Sequence, residues 1–128
     1  MITEDYVSFE TSKLLKKRGF DEPCQFLYFS KYKQEGDFIG NFHAKKNSEI
    51  NEASYSAPTL QLAMKWLREV HYYNIEIDTL GMMELNTLSF RSAVIYLVNE
   101  NECYCEHGFG SYEEACESAI KYCLENLI

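Results

Sequence analysis

The sequence predicts an α+β fold, and three observations carry that reading. Two segments repeat apolar residues at spacings of three and four. Short aromatic and β-branched runs lie between them, bounded by Gly, Pro, Asn and Asp. No βαβ alternation of long helices with buried strands organises the chain. The expected order is α-β-β-α-β-β-β-α: a mostly antiparallel sheet of about five strands with three helices, in a single domain over residues 1–128.

The first helix is legible from its ends. Ser8 is an N-cap, and Leu14 and Leu15 supply an apolar stripe. Lys16, Lys17 and Arg18 sit where cations favour the helix dipole. Gly19 suits the left-handed residue after a helix, with Phe20 folding back on Leu15 as a Schellman ending requires; Pro23 forbids continuation. "CQFLYFSKY" (Cys24 to Tyr32) and "FIGNFH" (Phe38 to His43) read as strands joined through the turn "KQEGD". "AKKNSEINEAS" is the most polar stretch and reads as an exposed loop.

"SAPTLQLAMKWLREVHYY" is the central helix, with Pro58 in its first turn. Leu60, Ala63, Met64, Leu67 and Val70 or His71 form its stripe, and Trp66 flanks it. "NIEID" alternates as a strand, and "TLGMMELNTLS" connects it onward. "FRSAVIYLV" is nearly all apolar beyond Arg91, as a strand covered on both faces is; "NENE" is a turn, and "CYCEH" returns. "SYEEACESAIKYCLENLI" is the last helix. Ser111 and Glu114 have capping-box spacing, and Ala115, Cys116, Ala119, Ile120, Cys123, Leu124 and Leu127 form one face.

Charge is uneven. The net charge of −8 divides into −1 for residues 1–64 (eight basic, nine acidic) and −7 for residues 65–128 (four basic, eleven acidic). An acidic half repels phosphate backbones and suits a basic partner, so nucleic acid is not the expected partner. The start "MITEDYVSFE" lacks the apolar core of an export signal, and no run has the length of a membrane span. Five cysteines with no export signal read as reduced thiols, so the expected compartment is the cytoplasm, without a membrane role.

Cys103, Cys105 and His107 alternate along "CYCEH". If Asn99 to Glu102 make the turn, Val98 opposes Cys103 and Tyr96 opposes Cys105, on an apolar face under a helix. Alternate strand residues lie about 6.6 Å apart, which puts Cys103 roughly 13 Å from His107. Tetrahedral zinc holds its sulfurs within about 4 Å of each other, so two neighbours can converge on one ion and three on a regular strand cannot. A bulge at Gly108 would bring His107 in. Burial in the core is the expectation, with a metal site or thiol chemistry as the rival. Cys116 and Cys123, seven apart on one helix face, also read as core, and Cys24 opens a strand with no evident partner.

Catalysis has no foothold in the sequence. His43, His71 and His107 are scattered, His71 suits a helix end, and no GxSxG, HExxH, P-loop or GxGxxG occurs. No cofactor is expected. From Ser56 onward the order α-β-β-β-α resembles that of double-stranded-RNA-binding domains. The last helix opens on "SYEEACES", where such domains need basic residues to meet phosphates.

Three stretches, "MITEDYVSFETSKLLKKRGFDEP", "YSAPTLQLAMKWLREVH" and "YEEACESAIKYCLENLI", resemble a group of small proteins of Bacteroides-type gut bacteria and their phages or mobile elements. The resemblance implies a mobile-element origin and an accessory role, and carries no catalytic residue. The leading expectation is a non-catalytic protein-interaction protein, with Tyr72, Tyr73, Met82 and Met83 as contact candidates. A homodimer through a sheet edge is a further possibility. The alternatives are an acidic mimic of nucleic acid that blocks a DNA-binding protein, built on Glu100, Glu106, Glu113, Glu114, Glu117 and Glu125, and a metal or thiol protein using Cys103 and Cys105.

Overall fold

Helix ends and turns place most of the elements, and a computed structural model shows how they pair. It describes residues 1–30, 37–82 and 87–128. The order is α1 (Phe9–Lys17), β1 (Cys24–Phe29), β2 (Asp37–Lys45), β3 (Ser54–Ser56), α2 (Leu60–His71), β4 (Tyr73–Met82), β5 (Thr87–Tyr96), β6 (Asn101–Phe109) and α3 (Tyr112–Tyr122). The class is α+β, with three helices. The strands form two three-stranded antiparallel sheets, β2-β1-β3 and β4-β5-β6, where one sheet of about five was expected. The additional strand, β3, has only three residues, too few for alternation to show. The chain divides into two compact units, Met1–Leu62 and Ala63–Ile128, with the division inside α2.

In the first unit, Ser8 Oγ accepts from Thr11 N–H at 3.2 Å and caps α1. Phe20 N–H donates to Leu15 O at 2.9 Å and Gly19 N–H to Lys16 O at 3.2 Å. Gly19 stands at φ +90°, so the Schellman ending forms as its sequence requires, and Leu15 and Phe20 are both buried. One face of the sheet is aromatic: Tyr28 pairs with Phe38 on β2 and Tyr55 on β3. The Phe26 and Phe38 rings stack at 4.9 Å. Tyr6 meets both, Phe9 meets Tyr28 and Tyr55, and Tyr28 Oη donates to Val7 O at 2.6 Å.

The polar stretch before β3 is mostly exposed, as expected, with an inward exception at Asn47. Asn47, in a short 3₁₀ turn (Asn47–Glu49), is buried. Its Nδ2 donates to Phe20 O at 2.8 Å and its Oδ1 accepts from Ser56 N–H at 2.9 Å. Lys16 Nζ donates to Asn51 O and Ser54 O, at 2.9 and 2.8 Å. Polar residues fold inward here because backbone groups distant in sequence need partners. Pro58 also differs: it precedes α2, buried, with its carbonyl accepting from Val7 N–H, and Thr59 caps the helix through Leu62 N–H.

In the second unit, β4 and β5 pair without interruption from Tyr73↔Tyr96 to Met82↔Thr87. This hairpin is longer at both inner ends than "NIEID" and "FRSAVIYLV" suggested; its connection lies outside the described residues, as does the turn between β1 and β2. Helix α3 packs on the sheet through Ala115, Cys116, Ala119 and Ile120, and its final turn widens into a π turn (Cys123–Leu127) that buries Cys123 and Leu124. Ser111 Oγ accepts from Glu114 N–H at 3.1 Å. The Glu114 carboxylate reaches Gly110 N–H at 3.2 Å, one residue before the cap it was expected to close.

Candidate functional site

Strand β6 is where sequence and structure part. The turn occupies residues 97–100, with Glu100 N–H donating to Tyr96 O at 2.8 Å and Glu100 at φ +60°. Tyr96 therefore pairs with Asn101 and Ile95 with Glu102. A register shift between Val94 and Ile95 then absorbs Cys103, so Val94 pairs with Tyr104 and Ala93 with Cys105. Changing register by one residue moves side chains to the opposite face. The expected burial is thereby corrected: Cys105 and His107 are exposed and Cys103 half-buried.

Tyr104 takes the inward place instead. Its ring stacks on Tyr122 of α3 at 4.3 Å, and its hydroxyl lies 2.9 Å from Ser118 Oγ and bonds the Glu106 carboxylate. Burial, and then the Glu106 hydrogen bond, raise the Tyr104 pKa. On the strand, Cys105 Sγ stands 3.7 Å from His107 Nε2. The Cys105 thiol is pushed up, first by desolvation and then by Glu102, against a lowering by Arg91. Arg91 is held by Asp78 across β4 and β5, Nε to Oδ2 at 3.0 Å. Among the described residues no group of three or more His, Cys, Asp and Glu side chains is placed to hold a metal ion.

Cys24, Cys116 and Cys123 are buried, and burial raises their thiols to about 11, about 11 and about 12. Cys116 and Cys123 occupy the core as their spacing indicated. His71 sits edge-on to Trp66 at 4.7 Å, with its pKa lowered by burial; His43 is exposed on β2. The three histidines do not converge on one strand or helix.

The contact candidates separate. Tyr73 is half-buried, its ring 4.9 Å from Tyr96 and its hydroxyl 3.4 Å from Leu127 O. The Met82 side chain and all of Met83 lie outside the described residues. Tyr72 faces solvent at 55% exposure, on a backbone at φ +65°. A left-handed conformation costs a non-glycine residue about 1–2 kcal/mol. The Tyr72 carbonyl accepts from Leu97 N–H at 2.8 Å, bringing the end of α2 to the β5–β6 turn. Val70, two residues before Tyr72, is 50% exposed, and Leu97, which bonds the Tyr72 carbonyl, and its neighbour Val98 are 43% and 68% exposed. Exposed Glu69, Glu100 and Glu102 border these residues along the chain. Sequence reasoning named Tyr72 but missed Val70, Leu97 and Val98, because it assigned them to a helix stripe and a covered strand.

Of the six glutamates of the acidic-mimic reading, Glu113, Glu114, Glu117 and Glu125 lie along α3 and its last turn. Glu100 lies in the β5–β6 turn, and Glu106 bonds Tyr104. The order from the second helix onward is α2-β4-β5-β6-α3, with an acidic first turn on α3. No helix among the described residues is long and apolar enough to cross a membrane. No family model matches the chain, and no curated protein or solved structure matches it.

Proposed function

We propose that the protein is a non-catalytic interaction protein, an accessory factor of mobile-element type acting in the cytoplasm. It engages a protein partner through Val70, Tyr72, Leu97 and Val98. The observation that supports this most is Tyr72: a large aromatic side chain held in solvent on a backbone that glycine would adopt without strain. Strained backbone of this kind concentrates at functional positions. Its neighbours are apolar and exposed, and such clusters rimmed by polar residues mark contact surfaces.

The partner surface pairs apolar anchors with Lys and Arg. The acidic rim and the −7 charge of the second unit fit that chemistry, and attraction of this kind speeds encounter while the apolar anchors slow release. The test is affinity capture from host lysate, washed at moderate and at high salt, with the wild-type chain beside Tyr72→Ser/Val98→Ser. One stoichiometric protein retained at high salt by the wild type and lost by the folded double variant is the expected result. Equal retention by the variant contradicts the assignment. A nucleic-acid-binding partner released by salt from both proteins points instead to the acidic-mimic reading.

A further inference from the structure

Cys105 and His107 form an exposed pair on β6 that the contact surface does not use. Their ligating atoms stand 3.7 Å apart, where a regular strand would separate alternate side chains by about 6.6 Å. The backbone accounts for the closeness. The β5–β6 register shifts between Phe90 and Ser92, opposite this segment, and Gly108 takes φ +85°, as a bulge glycine does. Tetrahedral zinc, with bonds of about 2.3 Å to sulfur and about 2.0 Å to nitrogen, holds those two atoms about 3.5 Å apart. The pair is spaced for chelation before any ion arrives.

We infer that Cys105 and His107 are a half-site for a thiophilic divalent ion of the zinc type, completed by the same pair from a second copy of this chain. A closed zinc site takes four ligands, and among the described residues no third His, Cys, Asp or Glu joins these two. Strand β6 is an edge of its sheet and the two side chains are exposed, so a second copy can reach them. Binding exchanges the Sγ proton of Cys105 for the ion, and His107 ligates as neutral imidazole through Nε2. Glu102 adds negative charge beside the thiol, and the Arg91 guanidinium on the same side is held by Asp78. Two metal-free chains, each at −8, repel one another, so this pairing depends on the ion.

The test uses the full reduced chain without a metal-affinity tag, stripped by chelator and titrated with Co²⁺ as a spectroscopic probe. Thiolate-to-cobalt absorption and molar mass in solution are followed together. The expected result is saturation at one ion per two chains, with the mass doubling from 15.0 kDa and both changes reversed by chelator. Cys105→Ser and His107→Ala each abolish both changes, and Cys103→Ser leaves both intact. Absence of the thiolate band, or its survival in Cys105→Ser, overturns the site. Saturation at one ion per chain without a change in mass overturns the second copy's part in it.

Discussion

In the first unit aromatic rings pack on one another and polar side chains pin the backbone, whereas in the second a long hairpin ladder carries one helix and leaves apolar side chains in solvent. Tyr6, Phe9, Phe26, Tyr28, Phe38 and Tyr55 meet ring to ring, and Lys13 and Lys16 lie over Phe9 and Tyr55 at 4.7 and 5.3 Å. The second unit buries Ala115, Cys116, Ala119 and Ile120 of α3 and Cys123 and Leu124 of its final turn. At the end of α2 and in the β5–β6 turn it exposes Val70, Tyr72, Leu97 and Val98, and it carries nearly all the net charge. An aromatic-rich composition alone does not locate a contact surface. Most rings of the first unit meet each other, whereas Val70, Tyr72, Leu97 and Val98 in the acidic half stay exposed.

The contrast predicts where each unit breaks. The largest effect belongs to the α3 core. Ile120→Ala removes a fully buried side chain and lowers stability by about 3 kcal/mol in urea titration. A loss below about 1 kcal/mol would show that α3 is not the second unit's keystone. In the first unit Asn47→Ala strips partners from Phe20 O and Ser56 N–H and costs about 2 kcal/mol by the same measurement. Asn47→Asp keeps the acceptor for Ser56 and loses the donor to Phe20, so its loss is expected to include an added charge penalty.

Alkaline pH sharpens the comparison through the thiols. Cys24, Cys116 and Cys123 have folded pKa values raised to about 11, about 11 and about 12 from an ordinary 9.0. Below pH 9 both folded and unfolded thiols hold their protons and stability does not vary on their account. Above it the unfolded thiols ionise first, so stability falls as pH rises, by about 1.4 kcal/mol per pH unit for each group until its folded pKa is reached. Two of the three lie in the second unit. Cys116→Ala/Cys123→Ala is expected to flatten most of the alkaline slope, measured against its own stability at pH 8. Thiol labelling of the folded chain should likewise show Cys105 reacting fastest, Cys103 next, and the buried three only on unfolding. A smaller effect falls on Gly19→Ala. Nothing crowds its Cβ position, so its loss of about 1 kcal/mol is purely the cost of φ +90°.

What was legible in the sequence was local. Ser8, Gly19 and Phe20 define α1 because caps and Schellman endings are set within a few residues. The inward face of α3 follows from helical spacing. Register was not legible. The sequence pattern puts the turn at Asn99 to Glu102, whereas Glu100 takes the left-handed position although asparagines flank it, and the bulge at Cys103 then exchanges Tyr104 for Cys105 on the covered face. Asn47 was hidden for the same reason: its partners, Phe20 and Ser56, are chosen by tertiary contact and leave no local pattern. Of the four proposed contact residues, the sequence marks Tyr72 alone. The exposure of Leu97 and Val98 depends on where β5 stops.

The most direct test of the account is the stability of Tyr72→Gly, measured by equilibrium urea unfolding beside the wild type. Glycine adopts φ +65° without strain, and the lost ring is mostly in solvent. If Tyr72 serves contact rather than folding, the variant is as stable as the wild type or more stable by up to about 1 kcal/mol. A loss of about 2 kcal/mol or more would make Tyr72 a structural residue and contradict the assignment of this surface to a partner.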